Sequence, residues 1–292
     1  MTTSGRNGGA SRLARLTPSL ALLPFLLYLT VFLLVPTITV VVGAFAENGR
    51  FTLANITALA DPVTLTALRT SVLLSAVSAV IGAVFGAVLA YLIVSGGQAS
   101  WLRRSVISLS GVLAQCGGVM LAFAFIATIG YSGVLTVWLR DHLGIDIFGS
   151  GWLFALPGLI LVYAYFQIPL MVIVFLPALD GIKPQWREAS VNLGANGWQY
   201  WTQVAFPLLR PAFLGATLLL FANAFAAYAT AAALVSQGNP IVPLLIRSGL
   251  SSEVLLGHQH LAYALAFEMI VVVAAVMGMY GLLLRRTASW LR

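Results

Sequence analysis

The chain has 292 residues, of which 60% are hydrophobic and only 8% are charged, and its mean hydropathy is +0.99. Soluble domains carry about 25% charged residues, so this composition excludes an ordinary soluble enzyme and predicts a membrane protein with several spans. The formal net charge of +7 does not indicate nucleic acid binding, because the basic residues flank apolar segments instead of clustering on a polar module.

Six apolar segments are long enough to cross a bilayer, which takes roughly 20 residues of helix. Their apolar residues are continuous instead of alternating, so the segments predict helices and not the strands of a barrel. They lie at residues 20–45, 68–94, 105–129, 152–179, 211–236 and 261–284. We therefore predict an all-α fold with one transmembrane domain over residues 18–292, preceded by a disordered terminus at 1–17.

The basic residues predict the orientation of these helices. Eleven of the 15 Lys and Arg residues fall in one set of loops and termini, and the other four are Arg50, Arg69, Arg140 and Arg247. Cytoplasmic loops carry the excess of Lys and Arg, so we expect both termini in the cytoplasm. The apolar stretch 241–256 is interrupted by charges and a proline, and it predicts a short helix at the outer surface.

Small residues recur at every fourth position of the second segment. Ser78, Gly82, Gly86 and Ala90 would form one stripe on a helix, and small residues let helices approach closely in lipid. We expect this stripe to be a helix–helix contact, although chance spacing in a chain rich in Gly and Ala is the alternative.

A polar loop at about 180–210 separates the fourth and fifth segments. Pro184 suits the first turn of a helix, Gly194 can end that helix in the left-handed conformation, and Asn196 can cap a second one. Pro207 and Pro211 would then mark the end of the second helix and the start of the fifth span. A simple connection would need only a handful of residues, so the loop is predicted to present two short helices to the cytoplasm.

This loop resembles the signature of ABC importer permeases, which reads E-A-A, three residues, G, nine residues, I-x-L-P. The matching residues are Glu188, Ala189, Ser190, Gly194, Val204, Phe206 and Pro207. Ser190, Val204 and Phe206 depart from the pattern, whereas the glutamate, the glycine and the final proline are kept.

The resemblance implies a type I permease whose loop couples to a cytoplasmic ATP-binding subunit. Glu188, Ala189, Ser190, Gly194 and Pro207 would form the coupling site. The expected partners are the ATP-binding subunits, a second permease subunit that is a sister chain, an extracytoplasmic substrate-binding protein and membrane lipid. The location implied is the bacterial inner membrane, with no cofactor.

Further residues resemble the spermidine/putrescine branch, whose relatives carry thiamine, ferric iron or 2-aminoethylphosphonate. They are the runs from Arg69 to Ser75, from Gly86 to Tyr91, from Ala227 to Ala231, and from Val242 to Ile246. The branch implies a small cationic or polar, polyamine-like substrate. A sugar-type permease is the alternative, although that branch usually has an Asn-Thr pair where Thr70-Ser71 stands.

Polar residues within the predicted spans are candidates for the substrate pathway. Glu268 is the foremost, because an ionised side chain in the bilayer costs roughly 3 kcal/mol and should face a cavity or a partner. The other candidates are Tyr163, Gln167, Asn223 and Tyr228. Helix–helix hydrogen bonds are the alternative role for each of them.

Two other function classes find less support in the sequence. A membrane enzyme would need a nucleophile with a base or a metal cluster, and the only close pair of histidines, His258 and His260, has no carboxylate or cysteine beside it. The chain has no Gly-rich loop ending in Gly-Lys-Ser/Thr, so we expect ATP hydrolysis in another subunit. A secondary transporter would usually show two related halves and no docking loop.

Overall fold

A computed structural model describes residues 22–47, 50–96, 101–149, 151–235, 241–251 and 259–288. The predicted disordered terminus at 1–17 and His258 lie outside these residues. The described part of the chain contains thirteen α-helices, and a two-stranded hairpin joins the first two of them.

The elements follow one another in this order. The first half contains α1 (Leu22–Ala44), β1 (Ala46–Glu47), β2 (Arg50–Phe51), α2 (Ala54–Thr57), α3 (Pro62–Ser95), α4 (Trp101–Gln115), α5 (Gly118–Ile129) and α6 (Val134–Leu143). The second half contains α7 (Leu156–Asp180), α8 (Pro184–Asn192), α9 (Gly197–Tyr200), α10 (Phe206–Ala226), α11 (Ala229–Leu234), α12 (Val242–Ser251) and α13 (Gln259–Ala288).

Six helical segments of the described chain are long and apolar enough to cross a membrane, which confirms the predicted number. They are α1, α3, α7, the pair α5–α6 over Gly118–Leu143, the run from α9 to α10 over Gly197–Ala226, and the part of α13 over His260–Leu282. Helix α3 has 34 residues, so at about 1.5 Å per residue it is longer than the hydrocarbon core. It begins at Pro62, behind the extended backbone of Asp61.

The third predicted span, 105–129, is wrong as a continuous helix. The structure breaks it at Cys116–Gly117, where Gly118 takes a φ of 77° that few other residues adopt. The backbone N–H of Gly118 donates to Thr230 Oγ1 at 2.9 Å, so a side chain from α11 satisfies the start of α5. The break could not be predicted from the apolar composition of this segment, because the hydrogen bond at the break is made to a residue 112 positions away in the sequence.

The fifth predicted span differs from the structure at both of its ends. Pro207 and Pro211 do not separate a short helix from the span, because α9 passes through a π-helical turn at Trp201–Ala205 directly into α10. Pro207 follows the π-helical turn directly and Pro211 lies further along α10, so the continuing helix accommodates both prolines. At the other end the helix stops at Ala226, and α11 resumes at Ala229.

The packing of α3 against α7 forms the centre of the protein and confirms the small-residue stripe as a contact. Ser78, Gly82, Gly86 and Ala90 are all buried. A Cβ added at Gly82 would lie 2.7 Å from Cβ of Gln167, and one at Gly86 would meet the Met171 side chain and a backbone carbonyl of α7. The glycines therefore set the distance between the two helices.

Helix α13 packs on the outside of this centre. Gly43 of α1 lies against the ring of Tyr263, and Gly215 of α10 lies against the ring of Tyr280. Phe45 and Phe267 meet edge to face with ring centroids 5.2 Å apart. Helix α12, at Val242–Ser251, falls within the predicted short helix at 241–256, and it packs on α13 and α3.

Candidate functional site

The segment between α7 and α10, residues 181–205, is the candidate coupling loop, and we call it the α7–α10 loop. Helix α8 begins at Pro184, behind the extended backbone of Lys183. Ser190, one of the signature positions, is buried and its hydroxyl donates to the carbonyl oxygen of Arg187 at 2.7 Å. Serine in place of the alanine of the signature is therefore accommodated within the helix itself.

Gly194 ends α8 in the left-handed conformation, with a φ of 82°, as predicted. The N–H of Ala195 donates to the carbonyl oxygen of Ser190, and the N–H of Gly194 donates to that of Val191, both at 2.9 Å. These two bonds form a Schellman motif, which satisfies carbonyls that the helix end would leave unpaired. No heavy atom lies within 4 Å of a Cβ built at Gly194, so within this chain the backbone conformation, and not a lack of space, favours glycine.

Asn196 caps the second helix, which confirms that prediction. Its side chain accepts from the N–H of Gln199 at 2.8 Å, and the Gln199 side chain accepts from the N–H of Asn196 at 2.8 Å. This reciprocal capping box fixes the start of α9. Because α9 is continuous with α10, the capped end and the fifth span form one helical body.

The α7–α10 loop exposes apolar side chains. Leu193 is 88% exposed, Trp198 77% and Val191 59%. Glu188 and Ala189 are exposed on α8, and Pro207 is exposed where α10 begins. A well-formed helix with unburied valine and leucine at its end is typical of a surface that another protein covers.

An ion pair fixes the base of this loop and was not found from the sequence. Arg103 donates to Asp180 at 2.6 Å, which joins the first turn of α4 to the last residue of α7. The only sequence signal is an acidic residue at the end of the fourth span opposite an arginine pair at the start of α4. The pair holds the point where the α7–α10 loop leaves the membrane-spanning part of the chain.

The two helix breaks lie beside each other in the fold. Thr230, just after the break at Ala227–Tyr228, accepts from the N–H of Gly118, just after the break at Cys116–Gly117. The hydroxyl of Tyr163 donates to the carbonyl oxygen of Ala227 at 2.6 Å. Side chains thus satisfy backbone groups that the interrupted helices leave free, as membrane proteins require.

The structure encloses two of the predicted pathway residues within this chain. Tyr163 and Gln167 are fully buried on α7. Besides the bond from Tyr163 to Ala227, the Gln167 amide nitrogen donates to the Ser78 hydroxyl at 2.7 Å. Gln167 Oε1 is buried and has no hydrogen-bond partner among the described residues.

The other three predicted pathway residues reach the surface of the chain. Asn223 is exposed on α10, and Tyr228 is half-buried at the break, with the Arg247 guanidinium 6.0 Å from its ring centroid. Glu268 is half-buried on α13, but its Oε2 is buried and has no hydrogen-bond partner among the described residues. Of the five residues, Tyr163 and Tyr228 come close together, because the hydroxyl of Tyr163 bonds to Ala227, the neighbour of Tyr228. Within the described ranges, no group of three His, Cys, Asp or Glu residues could hold a metal ion.

A family model matches this chain over residues 117–289, and its description reads binding-protein-dependent transport system inner membrane component. The match covers more than half of the 292 residues and includes the whole α7–α10 loop. The chain belongs to this family. The predicted location in a bacterial inner membrane is confirmed by this family and by the six apolar helices.

Two curated members of this transporter class illustrate the range of relatives. The sulfate transport system permease protein CysW of Escherichia coli (strain K12) is 30% identical over 192 residues, which cover 66% of this chain and 62% of that protein. The putative ferric transport system permease protein FbpB 1 of Haemophilus influenzae is 25% identical over 207 residues, which cover 70% of this chain and 32% of that protein. The chain thus spans less than two thirds of either relative.

The fold also matches a chain of a solved ABC transporter. A chain in the crystal structure of a bacterial alginate ABC transporter, in complex with alginate pentasaccharide-bound periplasmic protein, superposes with a TM-score of 0.76. The identity is 20%, and the match covers 96% of this chain and 98% of the other. At 20% identity, this likeness establishes the fold of the present chain and says nothing about its substrate.

Proposed function

We propose that this chain is the permease subunit of a binding-protein-dependent ABC importer and forms half of the substrate pathway. The observation that carries the proposal is the α7–α10 loop, a capped helix pair with exposed apolar side chains inside the region matched by the family. The loop would lie in the cytoplasm, where Glu188, Ala189, Ser190, Gly194 and Pro207 form the coupling site. ATP hydrolysis would take place in a separate subunit that binds this surface.

The mechanism follows from the continuity of α9 with α10. When the ATP-binding subunits close, they would displace α8 and α9, and the uninterrupted helix would carry that displacement into the fifth span. Alternating access would then be a rigid-body movement of this chain against the second permease subunit. The breaks at Ala227 and Gly118 would be the places where backbone conformation changes, because their hydrogen bonds are single side-chain contacts.

The pathway would lie between this chain and a sister permease. Asn223 and Tyr228 would line it from the exposed part of the chain, and Glu268, whose Oε2 is buried without a partner among the described residues, would border it. Tyr163 and Gln167 would support it from within, by holding the helix break at Ala227 and the contact with α3. A substrate-binding protein outside the membrane would deliver the solute.

The substrate would be a small charged or polar solute. Glu268 favours a cation, in line with the polyamine-like resemblance, whereas the relatives named for sulfate and ferric transport include an anion carrier. A cation would be stabilised by an ionised Glu268, and an anion would be repelled by it. Transport of spermidine, thiamine, ferric iron and sulfate by the assembled system would distinguish these classes.

Co-purification from the native membrane tests the proposal. The tagged chain should bring down an ATP-binding subunit, a second permease and a binding protein, and Glu188→Lys should abolish recovery of the ATP-binding subunit and uptake while the chain still inserts. Glu188 is exposed, so the change should leave the fold intact. A chain that purifies without an ATP-binding subunit in mild detergent, yet transports in vesicles down an ion gradient, would instead be a secondary transporter.

A further inference from the structure

A cleft of about 400 Å³ opens on the surface where α3, α7, α9 and α10 meet. Its floor includes Phe175 of α7 and Phe213 of α10, whose rings meet edge to face with centroids 5.9 Å apart. Val88, 53% exposed, forms part of one wall. The lining is almost entirely apolar, so water would gain few hydrogen bonds there.

The rim of this cleft has a different chemical character. Tyr91 and Trp201 meet edge to face with centroids 5.0 Å apart, and Trp198 stands beside them with 77% of its surface exposed. Arg210 completes the rim and is exposed. In the part of the chain that the structure describes, Arg210 has no hydrogen bond or ion pair, so its charge is not neutralised there.

The rim lies at one end of the spans. Tyr91 is four residues before the end of α3, and Leu179, which also lines the cleft, is one residue before the end of α7. Tryptophan and tyrosine are enriched at this depth in membranes, and basic pockets between spanning helices on the cytoplasmic side bind acidic head groups.

The charges at this end of the spans also favour an anion. The cationic residues described there are Arg103, Arg104, Lys183, Arg187 and Arg210, and the carboxylates are Asp180 and Glu188. One carboxylate, Asp180, is already paired with Arg103. An acyl chain in the apolar cleft would leave a phosphate head group beside Arg210, where this excess of positive charge attracts it.

We propose that the cleft binds one anionic phospholipid of the cytoplasmic leaflet, with an acyl chain against Phe175 and Phe213 and the phosphate on Arg210. The inference rests on the proposed orientation of the α7–α10 loop toward the cytoplasm. Trp198 and Trp201 lie in the continuous α9–α10 helix, which follows the Gly194 turn directly and includes Pro207 of the coupling site. The bound lipid therefore contacts the element that carries the signal from the ATP-binding subunit, and transport depends on the lipid composition of the bilayer.

Photo-crosslinking of the assembled transporter in lipid nanodiscs tests this site. The probes are phosphatidylglycerol and phosphatidylcholine, each carrying a diazirine near the glycerol end of one acyl chain, and the crosslinked peptides are identified by mass spectrometry. Phosphatidylglycerol should label α3 and α10 around Val88 and Phe213 about fivefold more than phosphatidylcholine, because one arginine near an anionic surface contributes about that factor. Arg210→Gln should abolish the difference, and Arg210→Lys should keep it.

A variant that fills the cleft separates lipid binding from general surface labelling. Val88→Trp should lower labelling by both lipids, whereas Val84→Trp, one turn away on the same helix and outside the cleft, should not. Val84 is 48% exposed, close to the exposure of Val88. Equal labelling by the two lipids, unchanged in Arg210→Gln, would overturn the proposal. Absence of labelling at the cleft in the assembled transporter would also overturn it, because a protein subunit would then cover the cleft. Recovery of the ATP-binding subunit is scored in the same samples, so a failure of the lipid site is distinguishable from a failure of the proposed function.

Discussion

At the scale of one residue, variants of Gly194 can separate the backbone conformation of the α7–α10 loop from the space that a bound ATP-binding subunit needs. Its φ of 82° disfavours every residue with a Cβ, and most of all β-branched residues. We expect Gly194→Val to cost about 1–2 kcal/mol at the helix end and to abolish both uptake and co-purification of the ATP-binding subunit. Asparagine tolerates the left-handed region, so Gly194→Asn should retain both in the same assays.

The two outcomes at Gly194 identify the reason for glycine. Because the space around its Cβ position is open within this chain, equal loss in the valine and asparagine variants would mean that the partner approaches too closely for any side chain. Normal uptake by Gly194→Val at normal expression would contradict a coupling role for the α7–α10 loop.

Leu193 is the most exposed large apolar residue of the same loop. A leucine that is 88% exposed contributes little to the stability of its own chain. We therefore expect its side chain to contribute to the binding of the ATP-binding subunit. We expect Leu193→Ser to weaken that association by about tenfold or more with no change in thermal stability of the isolated chain. Leu250→Ser, on α12, should change neither quantity, and an effect equal to that of Leu193→Ser would argue against a specific surface.

At the scale of the element, the contact between α3 and α7 depends on glycine. Adding a Cβ at Gly86 would force Met171 and the backbone of α7 to move, and such overpacking costs about 1–3 kcal/mol. Gly86→Ala should therefore lower the melting temperature of the purified chain. Gly278→Ala on α13 meets no atom within 4 Å and should leave it unchanged or raise it, because alanine favours helix over glycine.

Thr230 provides the corresponding test for the helix breaks. Thr230→Val keeps the shape of the side chain but removes the acceptor for the N–H of Gly118, and an unpaired buried donor costs about 1–3 kcal/mol. We expect lower thermal stability and slower uptake in this variant. Thr217→Val is the matched control, because the Thr217 hydroxyl only donates to the carbonyl of Phe213 within its own helix. An equal loss in both variants would exclude a special role for the break.

The elements divide into those that sequence could predict and those that it could not. The apolar segments, the stripe on α3 and the local signals at Pro184, Gly194 and Asn196 were predictable, since each depends on residues within a few positions of one another. The breaks at Gly118 and Ala227 were not, because each relies on a hydroxyl from a distant helix. The same reason explains the missed pair of Arg103 with Asp180, and the enclosure of Tyr163 and Gln167.

At the scale of the whole molecule, the orientation in the membrane decides how the site is interpreted, and it remains a prediction from the basic residues. With Cys116 replaced by serine, a single cysteine can be placed at Gln185 on α8 or at Asp141 on α6, both exposed positions. In intact right-side-out vesicles an impermeant maleimide should label Asp141→Cys, and it should label Gln185→Cys only after permeabilisation.

The reversed pattern would have consequences for every part of the proposal. If Gln185→Cys were labelled in intact vesicles, the coupling site would face away from ATP, and the cleft at Arg210 would lie in the outer leaflet. The Lys and Arg residues near α8 and Arg103 would then lie on the outer side of the membrane, where loops normally carry fewer basic residues. The expected labelling pattern and recovery of an ATP-binding subunit would together support a single arrangement. In it, a displacement of the α7–α10 loop in the cytoplasm passes along the continuous α9–α10 helix to the two helix breaks nearer the outer face.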